Sequence, residues 1–445
     1  MNQELGIRQK IILIIIKIMY KINKLSNDLD LITAPMSGTK TVTVFVLFGT
    51  GSRYETKKNN GISHFLEHAL FKGTKKRPNT LAIAGELDGI GGEYNAFTGK
   101  EVTGFWIKVE ASQLESAMDV LSDIILNSLL SSKEIEREKG VIIEEANMYL
   151  DNPLIHIDDL FEQCLYGDTP IGWATIGSKE NIKGFDRSDF VDYFHSQYRA
   201  SNTVVCLSGK IPNNSIALTE KFFQKMVKGQ AKDCDIVVDQ QKHPAIKLFF
   251  KKTDQAHLSL GVHTYPSGHP LEMASKILAI LLGGTMSSRL FIELRERQGL
   301  AYYVKTQSEF YTDSGYLTTN AGVPLAKVET AIKIILVEYQ KLLTNLVAED
   351  ELIRIKKCII GRTALQLEES DSIASWYAQQ AITFKQQKVS KKILSPSDYY
   401  QKIDKVRPEE IMKVAQEIFI DNKLNLAIIG PYKDKKIFKD ILKFN

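Results

Sequence analysis

Two stretches of this chain repeat one another at a fixed spacing, and that repeat limits the fold more than any single motif does. Ile182-Lys-Gly-Phe-Asp-Arg-Ser-Asp-Phe190 and Ile403-Asp-Lys-Val-Arg-Pro-Glu-Glu-Ile411 each lead into an amphipathic helix and then into an apolar strand that ends in Gly209 or Gly430. The offset is 221 at Ile182/Ile403, at Phe190/Ile411 and at Gly209/Gly430. A second correspondence sets Glu134-Ile135 beside Glu351-Leu352. A chain of 445 residues built this way reads as two similar halves, since one core rarely grows to that size. The polar stretch from Lys225 to His243 joins them as a linker.

Within each half, strand and helix patterns mix. Alternating residues near Leu29 to Ala34 and Thr41 to Leu47 read as strands, followed by a Gly/Lys/Asn-rich loop and a helix. Further strands are expected at Gly92 to Phe97 and Val102 to Val109, an antiparallel hairpin. Helical spacing runs through Leu114, Ala117, Met118, Leu121, Ile124 and Ile125, and Ser132 has the character of a helix N-cap. The fold class is therefore α+β, with two structurally similar domains, each a mostly antiparallel sheet covered by helices. The expected boundaries are 19–224, a linker at 225–243, and 244–445. Residues 1–18 form an extension in which the apolar run Ile11 to Ile16 is too short for a bilayer span or a signal h-region. Met19 is an alternative start, and a cytoplasmic protein without an integral span is expected.

Composition removes other classes. With 44% hydrophobic and 25% charged residues, the chain is neither disordered nor a multi-span membrane protein. A net charge of +4 demands no nucleic acid. Cys164, Cys206, Cys234 and Cys358 lie far apart and suggest neither a disulfide framework nor a thiolate metal site.

The chemistry centres on His64-Phe-Leu-Glu67-His68. Good helix formers surround it, and residues four apart share a helix face, so both imidazoles can converge on one metal ion with Glu67 beside it. Zinc suits such ligands and leaves a position open for water. With 8 His in the chain, H-x-x-E-H arises by chance on the order of once in a hundred such sequences, so a third ligand is needed to give the motif weight. The helix after Ser132 carries Glu134, Glu136, Glu138, Glu144 and Glu145, and of these Glu138 and Glu145, seven apart, share a face. Adjacent helical residues differ by about 100° around the axis, so Glu144 points aside if Glu138 and Glu145 face inward. Val141, Ile142 and Ile143 are expected to hold that helix against the core.

The sequence resembles the pitrilysin/insulinase family of zinc metallopeptidases, the inverzincins, whose hallmark is this inverted motif. The resemblance extends from Met19 to the C-terminus and implies one zinc per chain, held by His64, His68 and Glu145, with Glu67 as base and Glu138, in Arg137-Glu138, orienting a ligand. It also implies that Asn95, Ala96 and Phe97, within Gly91-Gly-Glu-Tyr-Asn95-Ala-Phe-Thr98, belong to an edge strand to which substrate backbone adds. Gly283-Gly-Thr-Met-Ser-Ser-Arg289-Leu and Leu294-Arg295-Glu-Arg-Gln-Gly-Leu300-Ala-Tyr302 resemble a signature of the family's second domain. There Arg295 and Tyr302 are implied to hold substrate and stabilise the oxyanion.

The second half departs where chemistry matters. Ile355 stands at the position of Glu138, Arg362 at that of Glu145, and the apolar stretch Leu271 to Leu282 has no histidine. It is expected to serve as wall, substrate clamp and interface. The resemblance to short, processing-peptidase-like members implies an endopeptidase for extended peptides, working as a homodimer or as a heterodimer with a similar subunit. The rival expectation, a catalytically silent partner subunit, predicts a broken zinc motif, and this one is intact.

Overall fold

The computed structural model describes residues 20–444; the expectations for residues 1–18 lie outside that range. Six strands form the first sheet: β1 (Lys21–Lys24), β2 (Asp30–Pro35), β3 (Thr41–Phe48), β4 (Glu93–Thr98), β5 (Thr103–Glu110) and β6 (Thr203–Gly209), in the order β1-β2-β6-β3-β5-β4. The β-branched and aromatic run of β3 (TVTVFVLF) is buried almost throughout, as a central strand covered on both faces must be. By contrast β4 (EYNAFT), at the end of the sheet, has three exposed and three half-buried residues. Only β2 and β6 pair in parallel; the other pairings are antiparallel.

The second sheet contains β7 (Ala245–Phe250), β8 (Gln255–Thr264), β9 (Tyr303–Phe310), β10 (Gly315–Pro324) and β11 (Asn425–Gly430), in the order β7-β11-β8-β10-β9. Substituting β2, β6, β3, β5 and β4 for these reproduces the first sheet, including its single parallel pair, β7 with β11. The sequence repeat is thus a repeat of topology. The helices Arg187–Gln197 and Pro408–Ile418 are offset by 221 at both ends. Ile182, Phe190, Ile403 and Ile411 are all fully buried.

The core assigns two helices to sheets that their sequence position does not suggest. Ser370–Gln386, in the second half of the chain, packs on β3 and β6 of the first sheet. Its Ile373, Ala374, Tyr377, Ala378 and Ile382 form one cluster with Ile32, Phe45, Leu47 and Cys206. Conversely Pro153–Tyr166 packs on β11, β8 and β7, with Ile157, Leu160 and Phe161 against Tyr316, Ala427 and Ile429. Two compact units result. Among the described residues, one contains those up to Ile143, Thr175–Cys234 and Gly361–Gln401; the other contains Glu144–Ala174, Asp235–Ile360 and those from Lys402 onward. The chain does change unit at Cys234/Asp235, inside the stretch 225–243, which has no helix or strand. The units are nevertheless not the linear segments 19–224 and 244–445, because each takes a helix from the other half. An amphipathic pattern says that a helix buries a face, without naming the sheet that buries it.

Among the described residues no helix is long and apolar enough to cross a membrane. All four cysteines are free thiols, in keeping with their spacing.

Candidate metal centre

The helix Ile62–Leu70 carries the H-x-x-E-H motif. Its Ile62, Phe65, Leu66, Ala69 and Leu70 are buried, which fixes the opposite, polar stripe of His64, Glu67 and His68. Its N-terminus is tied down by a carboxylate from the loop just before it. Glu55, fully buried, accepts from the backbone N–H groups of Gly61 (2.8 Å) and Ser63 (2.8 Å) and from Asn60 Nδ2 (2.9 Å). An anion there is favoured by the helix dipole and by the unsatisfied first-turn donors. Burial pushes this carboxyl up to about 7, although the hydrogen bonds from Ser63, Gly61 and Asn60 pull the other way. Gly61 sits at φ +102°, and a side chain there would run into the Ile176 carbonyl.

The continuous helix Ser132–Asp151 supplies the third donor. The possible ligand atoms of His64, His68 and Glu145 all lie within 4.8 Å of one another. Ligands about 2.1 Å from a tetrahedral ion stand roughly 3.4 Å apart, so these donors already converge on one point. Two imidazoles and a carboxylate are the donor set of an open zinc site, and the residues fit that ion. Glu145 Oε1 also accepts from Tyr149 Oη at 2.6 Å. Glu144 is exposed, as the helix geometry requires.

Glu138, 4% exposed, bridges His68 and Lys72. Its Oε1 is 2.9 Å from His68 Nδ1 and its Oε2 is 2.7 Å from Lys72 Nζ. Burial pushes the carboxyl up, but hydrogen bonds and charge from His68 and Lys72 outweigh it and hold the group below the usual carboxylate range. A carboxylate on Nδ1 draws the ring proton to that side and leaves Nε2 as the donor for a metal. Ile142 is fully buried and anchors the helix, whereas Val141 is 51% exposed and contributes nothing to that anchoring, contrary to expectation.

Glu67 is held by a contact that the sequence does not signal: its Oε2 accepts from Thr98 Oγ1 at 2.6 Å. Thr98 is the last residue of β4, the end strand that also carries Asn95, Ala96 and Phe97. Asn95 is exposed and its Oδ1 accepts from the Ala96 N–H at 2.8 Å. In the second unit Arg295 and Tyr302 come together. Arg295 lies in the π-helical segment Phe291–Arg297, donates through Nη1 to the Tyr302 carbonyl at 2.9 Å, and stands 5.0 Å from the Phe291 ring and 5.3 Å from the Tyr302 ring. The Tyr302 side chain is 77% exposed. Wide helical turns of this kind recur at functional sites.

Sequence reasoning missed Glu55, Lys72 and Thr98. Lys72 stands four residues beyond His68, in the turn just past the helix end, a spacing that could have suggested a shared carboxylate. Glu55 and Thr98 act across loops and strands, where spacing carries no signal.

The sequence model of the insulinase family (peptidase family M16) matches residues 31–179, and that of the peptidase M16 inactive domain matches residues 184–358. The chain is 33% identical over 393 residues to an uncharacterised zinc protease of Bacillus subtilis, covering 88% of this chain and 93% of that protein. It is 32% identical over 420 residues to an uncharacterised zinc protease of Rickettsia felis, covering 93% of this chain and 98% of the relative. Its fold is similar to that of a protease from Helicobacter pylori, with a TM-score of 0.86 at 24% identity, over 93% of this chain and 100% of that one. It is also similar to a peptidase M16 inactive-domain protein from Pseudomonas fluorescens, with a TM-score of 0.83 at 18% identity, over 93% and 98% of the two chains. With two similar sheets, an inverted histidine motif and relatives named as zinc proteases along nearly its whole length, this chain belongs to peptidase family M16, the insulinase family.

Proposed function

We propose that the chain is a zinc-dependent endopeptidase acting on extended peptide segments, with His64, His68 and Glu145 holding one zinc ion and Glu67 as the base. The observation that carries this reading is the tie between Glu67 and Thr98, which fixes the base of the H-x-x-E-H motif to the end strand of the sheet. A free strand edge can take an extended backbone as a further strand, and β4 would hold it beside Glu67. A zinc ion bound there supplies Lewis acidity to water and to the scissile carbonyl.

The chain's own residues do the rest. Glu67 removes a proton from the attacking water and passes it to the departing amine. Glu138 keeps the proton of His68 on Nδ1. Asn95, Ala96 and Phe97 hold the substrate backbone in register. Arg295 and Tyr302 grip the substrate and donate to the developing oxyanion; in a homodimer or a heterodimer with a similar subunit they would complete the partner's site. Glu67→Gln tests the assignment: the variant should retain stoichiometric zinc and lose peptide cleavage. A folded Glu67→Gln protein that no longer binds zinc would refute the separation of base from ligands.

A further inference from the structure

Cross-strand partners in the first sheet define which residues share a face. Phe45, Trp106 and Asn95 stand in one row, and Leu47, Gly104 and Phe97 in another two residues along. Both rows face the helix Ser370–Gln386. That helix does not fill the space towards β4. A cavity of about 270 Å³ remains, lined by the rings of Phe45, Phe97, Trp106 and Trp376, by Leu367 and by the carboxylate of Asp371. Gly104 makes room for one wall, since a Cβ there would lie 2.5 Å from the Phe97 ring. The volume is below the ~300–1,000 Å³ usual for small-molecule and cofactor sites, and suits one large side chain.

Its charge is one-sided. Lys108, two residues beyond Trp106 on the same face, is ion-paired with Glu369 and lies 3.5 Å from Asp371 and 3.6 Å from Glu93. Asp371 is the charged residue of the cavity lining, and the group of three carboxylates and one ammonium to which it belongs has a net negative charge. Aromatic walls favour a cation too, because the ring face attracts it. The register then identifies the occupant. A peptide added beside β4 alternates its side chains between the two faces: the residue opposite Thr98 points to the Glu67 side, and those opposite Asn95 and Phe97 point to the cavity side.

We propose that this cavity is a subsite for a lysine or arginine side chain of the peptide lying along β4, its stem against Trp106 and Trp376 and its cationic head at Asp371. The inference rests on the peptidase reading above.

The experiment uses peptides identical except at one position, which carries Arg, Lys, norleucine, Ala or Glu, the position being moved along the sequence. Two measurements are made on the full chain: anisotropy of labelled peptide with metal-free Glu67→Gln protein, and cleavage by zinc-loaded protein. Arg and Lys should bind about tenfold tighter than norleucine at one position, or at positions two apart, with Glu weakest. Asp371→Asn should reduce that ratio to within about threefold. Ser375→Phe, which fills the cavity from its helix side, should abolish the preference while far-UV circular dichroism shows the fold retained. Equal binding of norleucine and Arg at every position, or an unchanged ratio in both variants, overturns the subsite. A basic preference in binding with no cleavage by zinc-loaded protein would keep the subsite and refute the peptidase reading; cleavage without the preference would do the reverse. Failure to bind any peptide overturns both.

Discussion

Glu138→Gln tests whether Glu138 acts on a proposed zinc ligand, His68, without being one itself. The carboxylate accepts on two oxygens at once, from His68 Nδ1 at 2.9 Å and from Lys72 Nζ at 2.7 Å, with its side chain 5% exposed. Glutamine has one acceptor and one donor end. If its oxygen stays with Lys72, its NH2 meets His68 Nδ1 and favours the tautomer with the proton on Nε2, the nitrogen that should ligate. If its oxygen stays with His68, the NH2 meets the Lys72 ammonium, donor against donor. Little water reaches the position, so neither mismatch is solvated away. Losing the partner that orients a metal-bound histidine typically costs 10–100-fold in metal affinity, or about 1.4–2.7 kcal/mol. Zinc affinity should fall by that factor when Glu138→Gln protein is titrated against a competing chelator. Lys72→Met leaves the His68 contact in place and should cost less than Glu138→Gln. Wild-type affinity within twofold in Glu138→Gln, or a larger loss in Lys72→Met, would refute the tautomer argument.

The same titration separates two neighbours: Glu145→Gln should weaken zinc binding tenfold or more, whereas Glu144→Gln, at an exposed position, should leave it nearly unchanged. The reverse ranking would mean that the helix presents its other carboxylate. Arg295→Ala and Tyr302→Phe should lower turnover with zinc content intact, read by steady-state kinetics beside metal analysis; lost zinc in either would place them in the metal centre. Ile373→Ala, in the helix Ser370–Gln386, removes a fully buried side chain from the core of the first sheet and should destabilise by ~2–5 kcal/mol in denaturant unfolding. A cost under about 0.5 kcal/mol, typical of a surface position, would contradict that packing.

What the sequence carried, and what it did not, follows from the range of the interactions. Strand alternation and the 221-residue offset are local or periodic signals, and both sheets share the strand order that the repeat implies. The convergence of His64 and His68 follows from one helix turn, and the inward turn of Glu138 and Glu145 from two. Which sheet covers Ile373 or Ile157 is decided by contacts across hundreds of residues, and nothing in the period of either helix encodes it. The bond from Thr98 to Glu67 spans 31 residues between a strand end and a helix, and the caps that Glu55 provides depend on how a loop closes. Val141 is a subtler case, since an apolar run of three suggests an inward face throughout, whereas a helix with Ile142 at its buried centre must turn a neighbour outward.

The second half of the repeat shows what the scaffold itself requires. At the position of Glu138 it has Ile355, 1% exposed, and at that of Glu145 it has Arg362, which faces solvent. Its helix Glu272–Gly283 has no histidine, yet its sheet has the same strand order and the same parallel pair. The topology therefore rests on shared apolar positions, such as Ile182/Ile403 and Phe190/Ile411, and not on the donor set. A buried isoleucine needs no partner, whereas a buried carboxylate costs free energy unless its charge is met. In the first unit that cost is offset by Lys72 and His68, and it is incurred in the half of the chain where two histidines and Glu145 converge. A carboxylate that the fold can replace by isoleucine is kept for the imidazole it turns.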